Sequence, residues 1–190
     1  MEGGRGHREA VVLVEGISDQ LALHALARRR GRNLSDEGIS VIPMGGSKNI
    51  AQFLDRYGPG GRNLRLAGLC DAKEEDDFRR ALERGGIGAE LDRAGMERLG
   101  FFVCEVDLED ELIRSLGVET VKRVLGEMGE LDAFPTLQRQ PAWRGRPEPD
   151  QLRRFLGTNS GRKVRAAPRL VEALDLERVP RPLDRVLECV

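Results

Sequence analysis

The sequence predicts an α/β protein: a mainly parallel four-stranded sheet flanked by helices, with a helical carboxyl-terminal extension. Short, continuous apolar runs such as Ala10-Val11-Val12-Leu13-Val14 read as strands buried on both faces, the habit of parallel sheets. These runs alternate with helical segments in the order β-α-β-α-β-α-β-α, a pattern that closes through right-handed crossovers. Strand signals then stop near residue 130, and helical patterns and prolines follow.

The first strand, Ala10 to Val14, ends at Glu15-Gly16. Ser18 is the expected N-cap of a helix to about Arg30, with Asp19 in its first turn. Gly38 to Pro43 reads as the second strand, Gly45-Gly46-Ser47 as a turn, and Asn49 to Tyr57 as a helix with Ile50, Phe53 and Leu54 on one face. Gly58-Pro59-Gly60-Gly61 breaks the chain before the third strand, Leu64 to Cys70, which stops at Asp71. An acidic helix, Glu75 to Arg84, follows. The fourth strand runs from Gly100 to Val106, and Asp107 opens a helix carrying Leu108, Leu112, Ile113 and Leu116. Pro135, Pro141, Pro147 and Pro149 mark an irregular connection, after which Gln151 to Leu156 and Val164 to Leu174 read as helices, with a short last one after Pro180-Arg181-Pro182. The expected organisation is a flexible leader (1–8), an α/β core (9–130) and a basic, mainly helical extension packed on that core (131–190).

The 190 residues suffice for one packed domain with an extension. No apolar stretch approaches the roughly 20 residues that cross a bilayer, which leaves no membrane role for a helix. Three cysteines, Cys70, Cys104 and Cys189, lack CxxC spacing, so neither a zinc site nor a disulfide framework is expected. A reducing, cytoplasmic location fits. The two histidines leave little room for histidine chemistry: His7 lies in the leader, and His24 sits in an apolar helix as a packing residue.

A net charge of −1 conceals an asymmetry, because residues 139–169 hold nine basic and two acidic side chains. An acidic half followed by a basic stretch suits metal ligands in one place and phosphate contacts in another. A solvated, arginine-rich surface would give the same count.

Carboxylates stand just past three strands: Glu15 and Asp19 after the first, Asp71 after the third, Asp107 and Glu109 after the fourth. Each has an ordinary reading as a helix cap or a dipole partner. If the strand ends share one edge, five carboxylates surround one pocket, and their mutual repulsion calls for a cation. Oxygen-only donors favour Mg²⁺ or Mn²⁺, and a cluster this size has room for one or two ions.

Gly45-Gly46-Ser47-Lys48 precedes a helix, so its amides could receive an anion and Lys48 a phosphate, with a plain turn as the alternative. Neither this turn nor Gly157 to Lys163 has phosphate-loop spacing, and no G-x-G-x-x-G follows the first strand, which argues against a nucleoside triphosphatase or dinucleotide site. Arg162, Lys163 and Arg165 cluster at a helix start, where they suit a phosphate backbone, and one lysine near the scissile phosphate could stabilise developing charge.

Val11 to Asp19, an apolar strand ending in Glu-Gly with an aspartate four residues after the glutamate, resembles the first motif of the Toprim domain in the overcoming-lysogenisation-defect (OLD) nuclease branch. Ile42 to Ile50 is similar to that branch's glycine turn. Leu66 to Asp71 resembles the strand before the Asp-x-Asp motif, Val106 to Glu109 the Asp-Leu-Glu segment, and Gly161 to Ala167 the late lysine-containing helix start. The five matches keep their order and span most of residues 10–178.

The resemblance implies a Toprim-like fold and a metal-dependent nuclease cleaving DNA, with RNA as the alternative substrate, and a part in bacterial defence. Carried over, Glu15, Asp19, Asp71 and Glu109 hold the ions with Asp107 nearby, Glu15 serves as general acid/base, and Lys163 assists at the scissile phosphate. Two departures stand out. Lys73 occupies the place of the second aspartate of Asp-x-Asp, where a cation opposes metal binding unless Glu74, Glu75, Asp76 or Asp77 turns inward. OLD nucleases also carry an ATPase ahead of the Toprim domain, whereas about nine residues precede the first strand here. The expectation is a stand-alone chain, or one served by an ATPase in trans. The competing reading is a catalytically degenerate module that binds nucleic acid or a partner without cutting. Strand passage would need a nucleophilic tyrosine, and Tyr57 sits beside a Gly/Pro turn; primase activity normally needs more chain.

Overall fold

A computed structural model describes residues 9–190; the leader and His7 lie outside the described residues. Four parallel strands pair in the order β2-β1-β3-β4. They are β1 (Ala10–Val14), β2 (Ile39–Pro43), β3 (Arg65–Cys70) and β4 (Phe101–Val103). The helices are α1 (Ile17–Arg29), α2 (Ile50–Tyr57), α3 (Glu75–Arg84), α4 (Arg93–Arg98), α5 (Leu108–Leu116), α6 (Val118–Glu127), α7 (Phe134–Gln138), α8 (Glu148–Gly157), α9 (Ser160–Glu172) and α10 (Arg181–Glu188).

Alternation along β1 sorts the core into two layers. Val12 and Val14 face α1, α5, α6 and the carboxyl-terminal helices, whereas Val11 and Leu13 face α2, α3 and α4. All five β1 residues are buried, as a strand covered on both sides requires. Gly68 in β3 lets the strands close up: a Cβ there would lie 2.6 Å from the Phe101 ring and 3.2 Å from the Leu13 carbonyl.

The carboxyl-terminal helices share the core of the sheet. Ala166, Ala167, Leu170 and Val171 of α9 pack in the same apolar cluster as Ala22 and Leu26 of α1. Arg29 reinforces that contact by donating to the Val171 and Leu174 carbonyls (2.9 and 2.6 Å), and Arg32 donates to the Leu187 carbonyl (2.6 Å).

The structure corrects several local expectations. Gly16, not Ser18, caps α1: the Asp19 carboxylate accepts from the Gly16 amide (2.8 Å), and Ser18 is buried inside the helix. The last strand is three residues long, because the Glu105 amide is captured by the Glu111 carboxylate (2.7 Å), which turns the chain away. Helices α4, α6 and α7 were not foreseen. Cys70, Cys104 and Cys189 are free thiols. No helix among the described residues is long and apolar enough to cross a membrane.

Candidate active site

The first helical crossover leaves β1 towards β2, and the chain then crosses back to β3 on the other side of β1. The crevice between the carboxyl ends of β1 and β3 is therefore a topological switch point, where open α/β sheets gather ligands. Glu15 and Asp71 flank it. Together with Lys73, Asp107, Glu109 and Lys163 they line a cleft of about 630 Å³. The opposite wall comes from α8 and the loop before it: Trp143, Arg146, Asp150, Arg153 and Arg154.

Glu15 sits at the end of β1, and its position is fixed by its backbone. The amides of Gly45 and Gly46 donate to the Glu15 carbonyl (3.1 and 3.2 Å). Those glycines adopt φ values of +71° and +120°, which a side chain would strain. This corrects the anion reading of the glycine turn, because its first amides are already used to buckle the turn onto β1. Lys48 is exposed beyond the turn and does not line the cleft.

The Glu15 Oε2 atom is buried without a hydrogen-bond partner. Burial raises the Glu15 pKa, and neighbouring Glu74 raises it further. Asp71 is 9% exposed, and its side chain has no hydrogen-bond or ion-pair partner among the described residues. Burial, then the charges of Glu15, Asp19 and Asp107, push its pKa up to about 8. Asp19 lies deeper; burial raises its pKa, while Lys163 and the Gly16 amide pull the other way.

The remaining predicted carboxylates are engaged with cations. Asp107 caps α5 through the Asp110 amide (2.9 Å), and its second oxygen accepts from Arg153 Nε (2.7 Å), which ties α5 to α8. Glu109 is buried and pairs with Lys163 Nζ at 2.9 Å. Burial works to lower the Lys163 pKa, but Glu109, Asp19 and Asp71 outweigh it and hold the ammonium above its usual range.

The structure separates the three basic residues at the start of α9. Lys163 alone reaches the cleft. Arg162 is 8% exposed and turned inward: it pairs with Glu130 (2.9 Å), donates to the Phe155 carbonyl (2.8 Å) and lies 3.7 Å from the Phe155 ring centroid. Arg165 is exposed and pairs with Glu130 away from the cleft.

Sequence reasoning missed the α8 wall. Asp150, Arg153, Arg154 and Gly157 are spaced three or four apart, so a helix puts them on one face. The guanidinium groups of Arg146 and Arg154 lie 5.7 and 5.8 Å from the Trp143 ring centroid. The signal was the excess of arginine in 139–169, read only as a whole.

The donors fit a hard divalent cation. They are all oxygens; Glu15 Oε2 is buried without a partner, and the largely buried Asp71 lines the cleft without one, an arrangement that a cation would relieve. The cage is not preassembled: among the described residues no three histidine, cysteine, aspartate or glutamate side chains form a ready metal-binding group. Lys163 and Arg153 occupy the oxygens of Glu109 and Asp107 instead.

Comparison with known proteins agrees with this fold. Residues 8–58 match the family model described as overcoming lysogenization defect protein-like, TOPRIM domain. Solved structures of the C-terminal region of the Xanthomonas campestris pv. campestris OLD protein are similar. One is 25% identical with a TM-score of 0.75, over 96% of this chain and 92% of that chain; another is 26% identical with a TM-score of 0.72, over 95% and 92%. The C-terminal region of the Burkholderia pseudomallei OLD protein shares the fold at 20% identity, with a TM-score of 0.74 over 96% of both chains. No curated protein matches the sequence. The OLD-like Toprim family model thus matches the segment that holds β1, α1, β2 and α2, and along nearly its whole length the chain is similar in fold to the C-terminal regions of OLD proteins.

Proposed function

We propose that this protein is a metal-dependent phosphodiester hydrolase acting on nucleic acid, DNA ahead of RNA. The observation that carries the reading is the meeting of carboxylates from three strand ends with Lys163 in one cleft whose far wall is arginine-rich. Glu15 and Asp71 are the central ligands, with Asp19, Asp107 and Glu109 completing the set for Mg²⁺ or Mn²⁺. A bound divalent cation supplies Lewis-acid polarisation of the phosphoryl group and a more acidic water.

The protein's own groups do the rest. Arg146, Arg153 and Arg154 line the wall opposite the carboxylates, where they hold phosphates and set the register of the strand. Trp143 offers a ring on which a base can stack. The Lys163 ammonium, charged throughout the working range, stabilises negative charge developing on the phosphoryl oxygens. Glu15, with its pKa raised by burial, holds or releases a proton at the cleft floor. An ATPase acting in trans belongs to this reading through the family resemblance.

The test is nicking of supercoiled plasmid with Mn²⁺ or Mg²⁺ by wild type and Glu15→Ala. Nicking by wild type and its loss in the variant is the expected result; equal nicking by both refutes the reading. Two observations favour a second reading, a module that holds nucleic acid without cutting: Lys73 faces the cleft, and the carboxylates do not form a ready cage. Salt-dependent DNA binding with no Mn²⁺ uptake would select it.

A further inference from the structure

The family's second Asp-x-Asp carboxylate is missing here, and Lys73 stands in its place. Asp71-Ala72-Lys73-Glu74 folds as a single tight turn, with the Glu74 amide donating to the Asp71 carbonyl (2.9 Å) and the Ala72 amide to the Val106 carbonyl (3.0 Å). That turn separates the two side chains. Lys73 is 71% exposed and Glu74 only 15%. Of the four consecutive acids, Glu75 pairs with Arg93, Asp76 with Arg79, and Asp77 with Arg80, all directed along or between helices. Glu74 alone is turned under the turn, where Ser47 Oγ donates to its Oε2.

Ser47 belongs to the turn whose Gly45 and Gly46 amides hold the Glu15 carbonyl. One short segment therefore grips the backbone of Glu15 on one side and the carboxylate of Glu74 on the other. Two further observations mark this place as built for a cation. Asp71, nine-tenths buried, has no side-chain partner among the described residues, and Glu15 Oε2 is buried without one.

We infer that Glu74 replaces the missing aspartate as a ligand of the cation held by Glu15 and Asp71, and that Ser47 is its positioning residue. The inference rests on the metal-dependent reading above and adds a residue and a role to it. Lys73, paired with Glu74 at 3.4 Å, is the group that the incoming ion displaces from that carboxylate. Its exposed stem leaves it free to swing towards solvent or a phosphate.

The experiment is calorimetric titration of Mn²⁺ into wild type, Glu74→Gln, Ser47→Ala and Asp76→Asn, with free Mn²⁺ followed by electron paramagnetic resonance. Wild type binds, Glu74→Gln binds about tenfold more weakly or worse, and Ser47→Ala about tenfold more weakly while keeping its carboxylate. Asp76→Asn, which removes an equal charge from the exposed side of α3, matches wild type. Wild-type affinity in Glu74→Gln, or an equal loss in Asp76→Asn, overturns the role of Glu74 and leaves the metal reading standing. Absence of Mn²⁺ binding by wild type overturns the metal reading and the inference with it. If circular dichroism shows Glu74→Gln unfolded, Ser47→Ala decides: affinity equal to wild type overturns the inference.

Discussion

The Lys163 ammonium lies 2.9 Å from the Glu109 carboxylate, joining the first turn of α9 to the first turn of α5 across the mouth of the cleft. A lysine in this position does two opposed things. It offers positive charge to a phosphate, and it competes for an oxygen that a cation would use.

Lys163→Met separates these effects. The variant cleaves about 10²–10³-fold more slowly, the loss typical of removing one preorganised group that stabilises transition-state charge. It binds Mn²⁺ more tightly than wild type, because Glu109 is released. Ion-free Lys163→Met melts lower, since a buried carboxylate has lost its partner, and Mn²⁺ raises its Tm more than it raises that of wild type. Weaker Mn²⁺ binding in the variant would contradict this account.

Asp71 gives a pH dependence. Its carboxyl pKa rises from 3.8 to about 8 on folding, so the folded protein keeps a proton that the unfolded chain has released. The stability from this group is complete below pH 3.8 and is lost as pH climbs through about 8. Asp71→Asn removes that loss. Thermal melts of the ion-free proteins should converge as pH falls towards 3.8, and the variant should melt progressively higher as pH rises to about 8, by about 2–4 °C for each ~1 kcal/mol in a chain of this size. Parallel pH profiles for the two proteins would show that Asp71 is not the group responsible.

Arg162 predicts a stability effect with no binding effect. Its guanidinium satisfies Glu130, the Phe155 carbonyl and the Thr158 hydroxyl, and packs over the Phe155 ring. Arg162→Ala removes this fork and its packing, while Glu130 keeps Arg165 and the Phe155 carbonyl keeps the Thr158 hydroxyl, and costs about 1–2 kcal/mol, or about 2–8 °C in Tm. Arg162→Lys restores little of this, because one ammonium cannot reproduce the fork. The salt dependence of DNA binding by the folded variant stays as in wild type; a slope smaller by about one would mean that Arg162 contacts a phosphate after all.

Strands and strand ends were the legible part of the sequence. A five-residue apolar run followed by Glu-Gly has few ways to fold, and the alternation that follows it dictates a parallel sheet whose carboxyl ends share one edge. Where Glu15, Asp71, Asp107 and Glu109 gather follows from that alone. Helix α4 was missed because six residues with a central glycine carry almost no periodicity, although Asp92, whose side chain accepts from the Gly95 amide at 2.7 Å, was a start signal.

The direction of single side chains could not be read at all. Arg162, Lys163 and Arg165 look alike in sequence, yet helical rotation sends one inward, one into the cleft and one to the outer surface. Glu74 differs from its acidic neighbours only through the one turn that carries it. The glycine turn misled for a related reason: the Gly45 and Gly46 amides, which look ready for an anion, already serve the Glu15 carbonyl.

The guanidinium groups of Arg29 and Arg32 grip main-chain oxygens at the ends of α9 and α10, not side chains. Such clamps are indifferent to which amino acids the gripped segments carry. Evolutionary drift in this tail can therefore proceed a long way, provided small or apolar residues still meet α1, without unfastening the helix that presents Lys163.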